Sequence, residues 1–301
     1  MRLKLNPIVK KDLQVAARSM RMSWGLFGYE AVLALAFMLA LLVIQENSSY
    51  SYNRNIYSYL VYLFPVLAIT QVCIVALIVP IITASSISGE KERQTFDIML
   101  TTCMSPFSIV LGKMVSAVIR ILFFVAASMP VMSLAFVVGG LSWSALFYFL
   151  LTIILLSVFA GSVGIFCSAC CKRSITAVIL SFVIYFGIFA LPFLPVLFAG
   201  IFDWDNFGEI LLFLLFDPIV FFEEFFMQVM TGESLLGGLS HSFTQNQVGF
   251  LTYHLAQGKV WMFVSAACIL LMSVFFMLLA AWRVNPLHTS SGKKRKKKGA
   301  E

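Results

Sequence analysis

The stretch Ser88-Gly-Glu-Lys-Glu-Arg-Gln-Thr-Phe-Asp-Ile-Met-Leu-Thr-Thr-Cys-Met-Ser-Pro106 is a charged, helix-forming patch between two long apolar runs. Tyr57 to Ile87 precedes it and Met114 to Val138 follows it. A helix crosses the hydrocarbon core of a bilayer with about 20 mostly apolar residues. Backbone groups in that core must be satisfied within the spanning segment, which favours helices. The patch therefore reads as a connection at the membrane surface, and the chain as an all-α, polytopic membrane protein.

Working outward, four further runs qualify as spans: Trp24 to Ile44, Trp143 to Phe166, Ile175 to Ile201 and Val260 to Trp282. Composition agrees, because 60% of the 301 residues are hydrophobic and only 12% are charged. Soluble domains carry about 25% charged residues, so this chain lacks the polar surface for a soluble fold. Pro65, Pro80, Pro130, Pro192 and Pro195 fall in or near the runs, where proline kinks a helix. The reading is one transmembrane domain, 1–285, with six spans, followed by a basic tail, 286–301.

Lys and Arg fix the expected orientation. They cluster before the first span, from Arg2 to Arg21, and around the patch at Lys91, Arg93, Lys113 and Arg120. Lys172, Arg173, Arg283 and the run Lys293 to Lys298 fall on the same side. Of the 21 Lys and Arg, only Arg54 and Lys259 fall on the other. Both termini are thus expected in the cytoplasm of a cell-membrane protein, with the tail held near anionic lipid heads. No cleavable signal is expected, since the first apolar run is long and begins late.

Seven acidic residues, from Asp203 to Glu233, lie between the fifth and sixth spans, in an extracytoplasmic loop taken as 202–259. Its apolar part, Ile210 to Val229, is broken by Asp217-Pro218 and by Glu223-Glu224. It reads as a re-entrant or surface-lying helical pair with Asp217-Pro218 at the turn.

On the other side, Asn6 to Met22 reads as a helix capped by Asn6 with Pro7 in first position. Val9, Leu13, Ala16 and Met20 form one stripe among basic residues, so 1–23 is expected to lie in the inner interface as an amphipathic helix. In the patch itself, Gly89 is expected to break the second helix and Glu90 to Thr102 to start a new one. Phe96, Met99, Leu100 and Cys103 recur at i, i+3, i+4 and i+7 and give it an apolar face.

The cluster Cys167, Cys170 and Cys171 has no histidine or second cysteine pair beside it, so no metal site is read there. His241, His254 and His288 are scattered. Glu30 and Arg120 lie at similar depths inside spans one and three and are expected to form an intramembrane ion pair. Gln71, midway along span two, suits a hydrogen bond between helices.

At this point the chain resembles the integral-membrane permeases of type-2 ABC exporters. After their second span these carry a segment of the form Glu-Arg/Lys-Glu-x-Gly-Thr-x-x-x-Leu-Leu-x-Thr-Pro-x-Ser-Pro, leading to Gly-Lys at the third. Glu90, Lys91, Glu92, Thr95, Leu100, Thr102, Ser105, Pro106, Gly112 and Lys113 match it, with Gln94 in place of Gly and Cys103 in place of Pro. Asn6-Pro7 and Lys11-Asp12-Leu13 are similar to the N-terminal Asn-Pro and Lys-Glu-Leu of those proteins.

The resemblance implies that 88–113 is a cytoplasmic coupling segment seated in a separate ATP-binding cassette subunit. Its docking residues would be Glu90, Lys91, Glu92, Arg93, Thr95, Phe96, Met99 and Leu100. It also implies export, and a second permease chain, identical or related. The chain has no P-loop, since Gly112-Lys113 lacks the upstream glycine. ATP and Mg would belong to the partner, and this chain would carry no cofactor, metal, catalytic residue or nucleic acid. An ion-coupled secondary transporter and a membrane-embedded enzyme are the alternatives; they would need charges at mid-depth or clustered polar residues.

Overall fold

The computed structural model describes residues 7–50, 60–96, 105–139, 143–201, 211–230, 232 and 260–284, and these contain helix and no strand. The α-helices are α1 (Pro7–Ala17), α2 (Met20–Tyr50), α3 (Leu63–Glu92), α4 (Pro106–Gly139) and α5 (Trp143–Cys170). They continue with α6 (Ser174–Ala190), α7 (Phe193–Ile201), α8 (Pro218–Met230) and α9 (Val260–Val284), with a 3-10 helix at Leu211–Phe216 before α8. Among the described residues, six stretches are long and apolar enough to cross a membrane: Met22–Glu46, Leu63–Glu92, Pro106–Gly139, Trp143–Cys170, Ser174–Phe198 and Val260–Val284.

α5 is the central helix. Its span is 72% buried, against 22% for the spans built on α2, α6 and α9. It touches α3, α4, α6 and α9. The cause is a stripe of small residues, Ser157, Gly161, Gly164 and Ser168, at i, i+4, i+7 and i+11. Small side chains let membrane helices approach closely. A Cβ on Gly164 would lie 2.0 Å from Thr83 Oγ1 and 3.2 Å from the Ala84 amide nitrogen. The Thr83 side chain, with the α3 backbone close behind it, therefore occupies the space that any larger residue would need.

Three elements differ from those expected. The N-terminal helix, expected over Asn6 to Met22, ends at Ala17, so Met20 belongs to α2 and not to the stripe of Val9, Leu13 and Ala16. The second span is helical from Leu63, Tyr57 lies outside the described residues, and Gly89 does not break the helix. The helical ladder passes through Gly89, whose carbonyl accepts a bond from the Arg93 N–H at 3.1 Å. In the fifth span α6 ends before Leu191 and Pro192, and α7 resumes at Phe193. Proline offers no N–H and clashes with the preceding turn, which accounts for the interruption.

In the loop before α9, Asp217 and Pro218 stand where the 3-10 helix meets α8. Asp217 Oδ1 accepts the Ile219 N–H at 2.8 Å, an N-cap with proline in the first helical position. The pair is fixed to α9, where Ser265 Oγ donates to Leu215 O at 2.9 Å and Trp261 is fully buried against Leu214, Leu215 and Val220. The tail at 286–301 and the three histidines lie outside the described residues.

Candidate functional site

The end of the bundle that carries Lys91, Arg93 and Lys113 is joined by charge. α3 stops there in a Schellman turn. The Thr95 N–H donates to Glu90 O at 3.0 Å, and the Gln94 N–H donates to Lys91 O at 3.2 Å. Gln94 takes the left-handed conformation this turn requires, with φ 59°. The helix therefore breaks at Gln94, five residues after Gly89. This is the position where the resembled pattern has glycine, the residue that adopts positive φ at least cost.

The three charged residues leading into this turn each hold a different neighbour. Glu90 Oε1 lies 2.7 Å from Lys113 Nζ on α4. The same ammonium lies 3.1 Å from Asp12 Oδ2 on α1. Lys113 is only 6% exposed at its side chain, so two carboxylates compensate one nearly buried cation. Ser116 Oγ adds a 3.4 Å bond to the same Asp12 oxygen. Three segments, Lys11-Asp12-Leu13, Glu90-Lys91-Glu92 and Gly112-Lys113, spread over about a hundred residues, thus meet at one nitrogen.

Lys91 Nζ donates to the carbonyls of Ser168 (3.3 Å), Ala169 and Cys171 (3.4 Å) at the end of α5. Those are carbonyls for which a helix end has no internal partner, and a cation there also favours the helix dipole. One residue on, Glu92 Oε2 accepts from Ser174 Oγ at 2.8 Å and from the Ser174 N–H at 3.3 Å, at the start of α6. An anion at that end is again the favoured sign. Lys91 and Glu92 therefore clamp the turn between α5 and α6. Nearby, Ser168 Oγ accepts the Ile87 and Ser88 N–H groups at 2.9 and 2.8 Å, pinning α3 to α5.

Among the residues expected to dock a partner, Glu90, Lys91 and Glu92 are thus engaged within the chain. Phe96 also turns inward. It is 9% exposed, joins a cluster with Ile87, Val110, Met114 and Ile165, and has Lys91 Nζ 5.5 Å from its ring centre. The left-handed step at Gln94 reverses the chain and carries Phe96 back onto its own helices. Arg93, Gln94 and Thr95 are exposed. Met99 and Leu100 lie outside the described residues.

The structure does not bring Glu30 and Arg120 together, a correction to the pairing expected from depth. Arg120 occupies the face of α4 that carries Lys113 and Ser116; its Nε donates to Ser116 O at 3.2 Å, and the charge acting on it is that of Asp12. Glu30 lies beside Tyr29, whose hydroxyl donates to Ser128 Oγ at 3.3 Å. Depth equates residues on different faces of a bundle, and here the faces differ. Gln71 is buried, 1% exposed, and neither side-chain polar atom has a partner among the described residues.

Ser168 and Ser174 escaped the sequence reading. The small-residue stripe was the available signal for Ser168. Ser174 carried none, because its role comes from the position of Glu92.

Six membrane-length helical stretches among the described residues, with α5 the most buried of them, define the class: a multi-pass, all-helical membrane protein. The chain belongs to the ABC-2 family of transporter proteins, which it matches over residues 26–282. No curated protein matches it in addition. Family membership makes this a membrane-transport protein.

Proposed function

We propose that the chain is the permease subunit of an ATP-driven exporter in the cell membrane, with both termini cytoplasmic. It forms the substrate path with a second identical or related permease chain and docks a separate ATP-binding subunit. One observation supports this above others: the exposed turn Arg93-Gln94-Thr95 is bonded directly into the junction on Lys113. Thr95 and Gln94 are held by Glu90 and Lys91 carbonyls. Glu90 reaches α4 and, through Lys113, α1. Lys91 and Glu92 reach α5 and α6. A displacement applied at the turn is thereby delivered to five helices at once.

In this reading the partner contacts Arg93, Gln94 and Thr95, together with residues 97–104, while Glu90, Lys91, Glu92 and Phe96 transmit the movement. ATP and Mg act on the partner. Transport requires that the partner bind two permease states unequally. The test is Arg93→Glu in the complex purified from its native membrane. Substrate-stimulated ATP hydrolysis should fall severalfold with expression unchanged; full stimulation would sink the docking assignment. A gently purified chain that carries no ATPase subunit would favour an ion-coupled carrier instead.

A further inference from the structure

At the opposite end of the bundle α3, α5, α6 and α8 enclose a groove of about 460 Å³. That volume suits a small organic ligand, for which sites of roughly 300–1,000 Å³ are usual. Its wall is almost wholly apolar and contains no Lys or Arg. Four aromatic residues contribute, two from each side. Tyr185 and Phe189 on α6 have ring centres 4.4 Å apart, and Phe222 and Phe226 on α8 have theirs 6.2 Å apart. The one carboxylate in the wall is Glu223, exposed on α8 between the two phenylalanines.

We propose that this groove binds a lipophilic organic cation drawn from the bilayer. The argument is one of charge and polarity together. Aromatic rings present negative faces, so a cation held among four of them is attracted by their quadrupoles. Glu223 adds a formal negative charge on the same wall. Among the described residues no Lys or Arg forms an ion pair with it, the two ion pairs there being those of Lys113. This carboxylate is exposed on the apolar wall and open to a counter-charge. A cationic ligand supplies that charge, a neutral one leaves it unmet, and an anion is repelled.

The groove also opens sideways. Ile69 and Ile219 in its wall are 48% and 47% exposed on the apolar flank of the bundle. A ligand entering there comes from lipid and needs a bulky apolar body. The wall is preformed, since α8 is capped by Asp217 and the 3-10 helix before it is fixed to α9. Binding rests on the groove alone; that the bound cation is the exported cargo rests on the exporter reading.

The test uses the full chain in nanodiscs of zwitterionic phospholipid. Tetraphenylphosphonium is the probe, and tetraphenylborate, of the same shape and opposite charge, is its control. Equilibrium dialysis should show saturable binding of the cation and a preference over the anion of about tenfold, the scale of a close charge contact at reduced dielectric. Glu223→Gln should erase most of that preference. Phe226→Leu should weaken the cation and leave the anion unchanged, which keeps the proposal falsifiable if the first variant folds poorly. Cys73, a free and exposed thiol in the wall, reports the location. Bound cation should slow its alkylation by N-ethylmaleimide, measured by peptide mass spectrometry.

Equal binding of the two ions overturns the proposal, as does an unchanged preference in Glu223→Gln. So does a Cys73 rate that the cation leaves untouched, including the case where a resident phospholipid is not displaced. None of these measurements involves an ATPase. A cation site with a failed Arg93 test retains the site and removes the exporter reading, and the converse result does the reverse.

Discussion

Lys113 on α4 and Asp12 on α1 are 101 positions apart in sequence, yet their charged atoms lie 3.1 Å apart at a nearly buried point that Glu90 also reaches. Removing the cation leaves two carboxylates facing each other without the ammonium that both of them contact. Lys113→Met should therefore destabilise the fold by about 3–5 kcal/mol, the usual cost of breaking a buried pair. Asp12→Asn should cost less, because Glu90 still neutralises Lys113. Thermal unfolding in nanodiscs, followed by tryptophan fluorescence, separates the two; equal melting shifts would mean that Lys113 owes little to its charge.

Lys91 makes a prediction of a different size. Its three carbonyl acceptors lie at the end of α5. Lys91→Met keeps the apolar stem beside Phe96 and removes the donor. A loss of about 1 kcal/mol is expected, the scale of a cation at a helix C-terminus. Hydrogen exchange should rise locally at residues 168–173; an unchanged pattern would place the role of Lys91 elsewhere.

Gln94 occupies the left-handed position of the Schellman turn at φ 59°. Gly there would remove a steric cost of about 1 kcal/mol, partly offset by the greater freedom of glycine in the unfolded chain. Gln94→Gly should raise the melting temperature slightly, whereas Gln94→Val should lower it clearly. The reverse order would show that the turn does not limit stability.

At Gly164 the added methyl of alanine meets the Thr83 side chain and the Ala84 backbone nitrogen. Backbone cannot yield cheaply, so Gly164→Ala should cost about 1–3 kcal/mol through overpacking. Gly161→Ala meets chiefly the tip of Met114, with Sδ 2.9 Å away. That flexible end can move, and the cost should be smaller. Comparable losses at both positions would count against a close approach specific to Gly164.

Asp217 lies outside the spans, and burial pushes its carboxyl up from 3.8 to about 6, outweighing the Ile219 and Val220 N–H bonds that favour the anion; Glu223 raises it further. The folded state therefore binds the proton more tightly than the unfolded state. Stability is gained as pH falls through 6, is complete near 3.8, and is absent above 6. The swing is at most about 3 kcal/mol. Asp217→Asn keeps a capping oxygen and should abolish this component, so the melting-temperature difference between variant and wild type should change between these pH values. A difference that stays constant across that window would contradict a raised Asp217.

Much of the architecture was legible in order along the chain. Apolar length gave the six spans, and Pro7, Pro192 and Asp217-Pro218 marked where helices begin or break, because proline and capping residues act within a turn of themselves. The site was legible only as motifs. Glu90-Lys91-Glu92 looked like a charged surface for a partner, and periodicity put Phe96 on its apolar face. Both inferences assumed that the helix restarts at Gly89. Because the left-handed residue is Gln94, the chain turns later and Phe96 folds back under Lys91.

By itself the sequence determined that this chain crosses a membrane six times in helices, since the solvation of an apolar run depends on its length and composition alone. Only the tertiary structure decided that Lys113 answers to both Asp12 and Glu90, and that Arg120 bonds to Ser116 O on its own helix instead of pairing with Glu30. Ion pairing falls off over a few ångströms and depends on which faces of two helices meet. That choice was made by the small residues of α5, which let α3 approach and set the rotation of everything packed against them.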